Sequence, residues 1–173
     1  MPRSFTSRRE LAQHSFYPAV TLLVPLAAIV LQALLPKPIP WLAILDLPLI
    51  VTLFFAVSRR NPISGTLTGA AIGLLQDALT AQPIGVNGIA KSIIGYVVAS
   101  IGLQVDVENL TTRILINFGF SLINSVLIYL INRRLLGITD FHLMWLHEFL
   151  RALLNTLVAI PLFFLLDRGR RTE

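Results

Sequence analysis

The stretch that decides the fold is residues 64–102, SGTLTGAAIGLLQDALTAQPIGVNGIAKSIIGYVVASIG, in which glycines recur at helical spacing among apolar residues. Gly65, Gly69 and Gly73 are four residues apart, so they lie near one side of a helix, and Asp77 continues the row one turn later. A neighbouring helix can approach such a side closely. The stretch therefore predicts a helical hairpin in a membrane, with polar side chains inside it.

The second half of this hairpin repeats the pattern. After a break at 80–84, an apolar run contains Lys91 one turn inside its start, followed by Gly95 and Ala99 at a spacing of four. These small residues either pack the hairpin into its own bundle or receive a helix of another protein. Because Asp77 and Lys91 lie near the same end of the hairpin, we expect them to form an ion pair.

The composition indicates an integral membrane protein. The 173 residues are 55% hydrophobic and 13% charged, and a mean hydropathy of +0.75 is too high for a soluble domain. A bilayer core about 30 Å thick needs roughly 20 apolar residues per helix, so the chain accommodates about six crossings. We therefore predict a single all-α membrane domain over residues 1–173, without a separate soluble domain. The absence of cysteine excludes disulfides and thiolate metal sites.

We predict six transmembrane helices, bounded by breaks in the apolar pattern. They span residues 17–35, 41–57, 63–79, 86–103, 113–132 and 148–166. The intervening segment 133–147 mixes charged and apolar residues, which favours a short interfacial helix. Six crossings place both termini on one side of the membrane.

The basic residues indicate which side this is. Those on the side of the termini are Arg3, Arg8, Arg9, Arg59, Arg60, Arg113, Arg168, Arg170 and Arg171. Those on the other side are Lys37, Arg133 and Arg134. Because cytoplasmic loops carry the excess of Lys and Arg, we predict short basic cytoplasmic tails. Orientation explains the net charge of +5 better than a nucleic-acid partner does.

With this orientation, an intramembrane polar cluster of Asp46, Asp77, Lys91 and Arg151 falls toward the outer leaflet. A charge in the bilayer costs about 2.5 to 3.5 kcal/mol, so pairing within the cluster or exposure to a wet cavity is favoured over contact with lipid. The alternative for Lys91 and Arg151 is snorkelling to the interface. Aspartate cannot reach as far, so the two acids make the stronger case.

Two amide stripes accompany this cluster. Asn117, Ser121 and Asn124 follow helical spacing on the fifth span, and Arg151 and Asn155 do so on the sixth. Such side chains usually form hydrogen bonds between neighbouring helices. The alternative is a ligand pocket or a docking face for the transmembrane helix of another protein.

Motifs for catalysis are weak. The histidines are His14, His142 and His147, without metal-binding spacing. The sequence contains neither a nucleophile elbow nor a P-loop. Asp46 and Asp77 could form a protease-like carboxylate dyad, but Lys91 is positioned to keep one of them ionised. We therefore predict no enzyme activity, no cofactor and no metal.

A specific resemblance lies in the same stretch. It is carried by GAAIGLLQD at 69–77, QPIGVN at 82–87, and Gly95 with Tyr96. The pattern resembles the G-x-x-x-G-L-x-x-D, P-L-G and G-Y pattern of the MreD family of rod shape-determining membrane proteins, with Ile84 in place of the commoner leucine. Length and hydropathy agree with that family over nearly the whole chain.

The resemblance implies a noncatalytic component of the bacterial elongation machinery in the cytoplasmic (inner) membrane. MreD-like proteins are understood to bind MreC and, with it, to connect MreB filaments to RodA and its class B penicillin-binding transpeptidase. It also implies a six-helix bundle that resembles the substrate-binding subunits of energy-coupling factor transporters. That kinship supplies the alternative function, a vitamin-binding transporter subunit with an outward polar pocket.

For the scaffold function, the hairpin turn is the candidate contact with a partner. We expect Pro83 and Gly85 to fix the turn, and Asn87 to lie where the MreC helix and its membrane-proximal segment dock. The predicted ion pair of Asp77 and Lys91 would hold this turn in place.

Overall fold

The computed structural model of the chain describes residues 16–107, 109–138 and 144–168. These residues contain six α-helices, which confirms the all-helical part of the prediction. The helices are α1 (Pro18–Leu34), α2 (Leu47–Arg59), α3 (Pro62–Leu79), α4 (Val86–Gly102), α5 (Leu110–Leu130) and α6 (Trp145–Asp167). A 3-10 helix (Pro40–Ile44) precedes α2, and a π-helical turn (Ile131–Leu135) extends α5.

The second helix begins later than its predicted span of 41–57. Asp46 is its N-cap, and the Asp46 carboxylate accepts a hydrogen bond from the backbone N–H of Leu49 at 3.0 Å. Pro48 lies in the first turn, where the missing N–H of proline removes no helical bond. Capping aspartate and first-turn proline together set the start of the helix at Leu47, six residues after the start of the predicted span.

Helix α2 is the central element. Its residues 48–58 are all buried, and it contacts each of the other five helices. The Phe54 ring packs edge-to-face on Phe16, Phe55 and Phe163, with centroid separations of 5.1 to 5.5 Å. The thirteen residues of α2 rise about 20 Å, less than the roughly 30 Å of a bilayer core.

The glycine row forms the contact between α3 and α4. A Cβ atom built on Gly65 would lie 2.3 Å from the carbonyl oxygen of Gly95 and 3.0 Å from the Cβ of Ala99. On Gly69 it would lie 2.1 Å from the carbonyl oxygen of Lys91. Because only hydrogen fits at these positions, the two backbones touch. The first alternative for these residues, packing within their own bundle, is the one that the structure contains.

The first residues of α5 and α6 differ slightly from those of their predicted spans. Helix α5 begins at Leu110, because the side chain of Asn109 caps it by accepting from the Thr111 N–H at 2.8 Å. Helix α6 begins at Trp145, so residues 145–147 of the predicted interfacial segment belong to a long helix. Residues 139–143 of that segment lie outside the described residues. So do these sequence candidates: Arg3, Arg8, Arg9, His14, His142, Arg170 and Arg171.

The distribution of side chains is inverted relative to a soluble protein. Lys91 and Asp77 are completely buried, whereas many large apolar side chains on the outward helix faces are exposed. Two described helices are long and apolar enough to cross a membrane, α5 with its π-helical extension (Leu110–Leu135) and α6. An apolar exterior over buried charges is the arrangement that a lipid solvent favours.

Candidate functional site

Polar side chains gather at one end of the bundle, where α2, α4 and α6 begin and α3 ends. We call this group the polar network. Its members are Asp46, Gln76, Asp77, Asn87, Lys91, Asn124 and Asn155. All seven are buried. The outer faces of α1, α3, α5 and α6, by contrast, expose leucines. The network therefore lies inside the bundle.

The carboxylate of Asp46 is the centre of the polar network. Its Oδ1 accepts from the Leu49 N–H at 3.0 Å and from Gln76 Nε2 at 3.3 Å. Its Oδ2 accepts from Lys91 Nζ at 3.0 Å and from Asn124 Nδ2 at 3.3 Å. Donors from α2, α3, α4 and α5 thus share one carboxylate, which offsets the cost of burying its charge.

The backbone at the start of α2 adds contacts to the remaining helices. The N–H of Asp46 donates to Asn155 Oδ1 on α6 at 2.9 Å, and the N–H of Leu47 donates to Gln32 Oε1 on α1 at 3.1 Å. Free N–H groups at a helix start need such acceptors when they are buried. The first turn of α2 is consequently bonded to side chains from all five other helices.

Lys91 and Asp77 are connected through Asn87. Lys91 Nζ donates to Asn87 Oδ1 at 2.9 Å, and Asn87 Nδ2 donates to Asp77 Oδ1 at 2.8 Å. The ion pair of Lys91 is with Asp46, at 3.0 Å. The predicted ion pair between Asp77 and Lys91 is therefore wrong, because the amide of Asn87 lies between them and the ammonium group reaches across to α2.

Asp77 instead binds the first turn of α4. Its carboxylate accepts from the backbone N–H groups of Gly85 at 2.9 Å, Asn87 at 3.1 Å and Gly88 at 3.3 Å. A negative charge at a helix N-terminus is favoured by the unpaired N–H groups and the helix dipole. Asp77 therefore binds the end of the hairpin turn by capping α4.

The turn itself divides into an exposed and a buried part. Pro83 is exposed and Ile84 is 78% exposed. Gly85 has a φ of +105°, a conformation that L side chains rarely adopt. Asn87 is only 7% exposed. Its side chain joins Lys91 to Asp77 inside the bundle, and contact of the turn with a partner stays a prediction.

Arg151 lies beside the polar network. Its Nε donates to the carbonyl oxygen of Ile44 at 3.2 Å, and its Nη1 lies 3.0 Å from Glu148 Oε2. Glu148 also accepts from the hydroxyl of Ser125. The hydrogen bonds of Arg151 thus go to Ile44 and Glu148 and not to Asp46, Asp77 or Lys91, the residues with which the sequence grouped it. Arg151 is half-buried and holds α6 against the segment that precedes α2.

The amide stripes join helices as the first alternative predicts. Asn155 Nδ2 donates to Ser121 Oγ at 3.2 Å, linking α6 to α5. Asn124 reaches Asp46, as described above. Asn117 differs, because its Nδ2 donates to the carbonyl oxygen of Arg113 in its own helix at 3.0 Å.

Sequence reasoning missed three structural residues. Gln32 and Gln76 reach α2 from α1 and α3, and each is a lone amide within an apolar run. Arg113, interpreted only as an orientation signal, lies 2.6 Å from Asp167 Oδ2 and binds the start of α5 to the end of α6. The sequence signal that could have identified these three residues is a polar side chain within a predicted span.

The polar network does not contain a shared-proton carboxylate dyad. A shared-proton dyad needs its two acids side by side and away from bases, but Asp46 binds Lys91 and Asp77 binds backbone N–H groups. Among the described residues, no group of three or more His, Asp or Glu side chains could hold a metal ion. What this network can do is to fix helices relative to one another.

A small cleft of about 10 Å³ lies between α5 and α6 at the other end of the bundle. Its wall is apolar apart from Arg113, Asn117 and Thr156. It is thus separate from the polar network.

An apolar exterior, a central helix with no outward face and an internal polar network define a helical membrane protein whose polar residues organise the bundle. The chain belongs to the MreD family. The family model described as rod shape-determining protein MreD matches residues 13–168, nearly the whole sequence. No curated protein and no solved structure matches the chain. It is therefore a rod shape-determining membrane protein by family.

Proposed function

We propose that this chain is a noncatalytic scaffold of the bacterial elongation complex, which binds MreC and helps to couple MreB filaments to peptidoglycan synthesis by RodA and its class B penicillin-binding transpeptidase. The observation that carries the proposal is the pairing of the charged groups in the polar network. Its charges bind partners within the bundle, which suits a rigid binding surface better than a reaction centre or a transport site.

We further propose that all six helices cross the inner membrane as one domain, with both termini in the cytoplasm. The alternation of six helices and the nine-to-three distribution of basic residues support this topology. Helix α2 is shorter than the bilayer core, but it is enclosed by the other helices, so its ends need not reach the lipid headgroups.

The alternative, a vitamin-binding subunit of an energy-coupling factor transporter, is less well supported. Such a subunit needs an outward pocket of about 300 Å³ or more with polar residues facing a ligand. At the outer end of the bundle, the polar side chains form hydrogen bonds with one another. The cleft between α5 and α6 is smaller than such a pocket and lies at the opposite end. The pairing of Asp46 with Lys91 and of Asp77 with backbone N–H groups also argues against an intramembrane enzyme.

The exposed hairpin turn is the proposed contact with MreC. Residues 81–84 are all exposed, and Ile84 projects an apolar side chain beyond the helix ends. Asp77 holds this turn rigidly, so little conformational entropy is lost when a partner binds. An apolar side chain on a rigid base is the kind of group that dominates binding energy at interfaces.

Co-purification tests this proposal. We expect Ile84→Asn to reduce recovery of MreC severalfold and to round the cells of a rod-shaped host. The matched control is Leu103→Asn, since Leu103 is 48% exposed at the opposite end of the hairpin. Equal recovery of MreC with both variants would exclude the turn as the contact, and absence of MreC from wild-type preparations would refute the scaffold function.

A further inference from the structure

The last residue of α2, Arg59, occupies a polar site at the end of the bundle opposite to the polar network. Its Nη1 lies 3.1 Å from Ser64 Oγ and 3.4 Å from Thr68 Oγ1, both on α3. Its Nη2 lies 3.0 Å from Thr21 Oγ1 on α1. The guanidinium also stacks on Phe55, 5.1 Å from the ring centroid. Three helices thus fix one half-buried arginine.

Among the described residues, no carboxylate is bound to the positive charge of Arg59. Arg113 and Arg151 each have a carboxylate, Asp167 and Glu148, within 3.0 Å. In the described part of the chain, by contrast, the hydrogen-bonding partners of Arg59 are neutral hydroxyls. A half-buried cation is unfavourable without an opposite charge, so an anion at this place would be stabilised.

The three hydroxyl groups point to the same ligand. Thr52, Thr66 and other threonines of the bundle donate their proton to the carbonyl oxygen four residues earlier. In the described structure, Thr21, Ser64 and Thr68 accept from Arg59 and have no acceptor for their own protons. A guanidinium and three hydroxyl donors without acceptors match the oxygens of a phosphate group.

The surroundings show what the anion is attached to. Leu22, Ile63 and Leu67 each neighbour one of the three hydroxyl residues in sequence, and all three are exposed. A free ion would gain nothing from these side chains, whereas the acyl chains of a lipid would pack on them. We propose that Arg59, Thr21, Ser64 and Thr68 bind the phosphate of a membrane phospholipid whose chains lie along α1 and α3.

This site rests on the membrane setting of the proposed function but not on MreC. Juxtamembrane arginines are attracted to anionic lipid headgroups. Here the guanidinium is already oriented by α1 and α3, so the lipid would bridge the outer faces of these helices and stabilise their contact. The expected ligand is therefore an anionic phospholipid such as phosphatidylglycerol.

The test is the thermal stability of delipidated protein in a nonionic detergent, titrated with short-chain phosphatidylglycerol. We expect a saturable rise in the unfolding temperature. Arg59→Gln should raise the half-saturating concentration about tenfold or more, as expected for losing charge-assisted hydrogen bonds. Arg134→Gln is the matched control, since Arg134 is exposed at the opposite end, and it should titrate like the wild type.

Two further arms identify the ligand. Diacylglycerol with the same chains should not stabilise the protein, and inorganic phosphate should do so only at much higher concentration than the lipid. Stabilisation of Arg59→Gln at the wild-type concentration would overturn the proposal. Equal stabilisation by diacylglycerol and phosphatidylglycerol would also overturn the proposal. Equal stabilisation by inorganic phosphate and phosphatidylglycerol would overturn the assignment to a lipid.

A second variant keeps the proposal testable if Arg59→Gln fails to fold. The double change Thr21→Val and Ser64→Ala retains the arginine but removes two hydroxyl donors, and it should weaken lipid binding severalfold. Unchanged binding by this variant would also count against the site. Neither result bears on recovery of MreC, so failure of this proposal is distinguishable from failure of the scaffold function.

Discussion

The Nζ atom of Lys91 lies 3.0 Å from Oδ2 of Asp46, although 45 residues separate them in the sequence. Lys91 is completely buried, and Asp46 is nearly so. The pair joins the second turn of α4 to the first residue before α2. Because Asp46 also binds donors on α3 and α5, this ion pair is one of the contacts that attach the hairpin to the rest of the bundle.

The first prediction concerns loss of the ammonium group. We expect Lys91→Met to lower the free energy of unfolding by about 3 to 5 kcal/mol, because the Asp46 carboxylate would stay buried without its cation. The measurement is equilibrium unfolding in mixed detergent micelles.

The control for this variant is Lys37→Met, which removes an exposed lysine from the loop after α1 and should change stability little. Adding Asp46→Asn to Lys91→Met should recover part of the lost stability, since the remaining buried charge is removed. Additive losses in the double variant would contradict the coupling of these two residues.

The second prediction concerns the cap of α4. Asp77→Asn removes the charge that accepts three backbone N–H groups, and we expect a loss of about 1 to 2 kcal/mol with faster amide exchange at Gly85, Asn87 and Gly88. Glu148→Gln changes another partly buried acid on a different helix, so exchange in the hairpin turn should stay slow. Equally slow exchange in Asp77→Asn would exclude the capping role.

The third prediction concerns backbone contact between α3 and α4. Gly69→Ala would place a methyl group 2.1 Å from the carbonyl oxygen of Lys91, so the helices must separate, at a cost of about 1 to 3 kcal/mol. Gly119→Ala on α5 is the matched control, because a Cβ there meets nothing within 4 Å. It should be neutral or slightly stabilising. Thermal unfolding of both variants compares them, and equal stability would mean that the glycine row is not a tight contact.

The fourth prediction concerns topology, and the absence of cysteine makes it simple to test. A cysteine in place of Gln82 should react with a membrane-impermeant thiol reagent on intact spheroplasts, whereas one in place of Gln104 should react only after permeabilisation. Both glutamines are exposed, at opposite ends of α4. Labelling of both from the same side would contradict a membrane-spanning α4.

Helix number, order and the face of the glycine row were predictable, because each follows from local periodicity. The partner of Lys91 was not. Asp46 and Asp77 were placed at similar depth. The choice between them depends on how α2 is rotated and on the amide of Asn87. Helical periodicity in the sequence predicts neither. The helix start at Leu47 was not predicted, because Asp46 was interpreted as a charge within the span and not as a helix cap.

The site at Arg59 could not be predicted from local sequence pattern either. From the sequence, Arg59 and Arg60 were only a basic pair at the end of a span, useful for orientation. Their local pattern says nothing about Thr21, which lies 38 residues earlier on another helix. Contacts between distant segments are decided by the packing of the core around α2, which the sequence pattern predicts only in outline.

The position of Asp46 in the chain has a consequence for biosynthesis. Its carboxylate and backbone bind residues that are translated later, the last being Asn155, 109 residues downstream. The N–H of Asp46 therefore has no acceptor until α6 has been synthesised, so the start of α2 gains its full set of hydrogen bonds only when the last helix is in place.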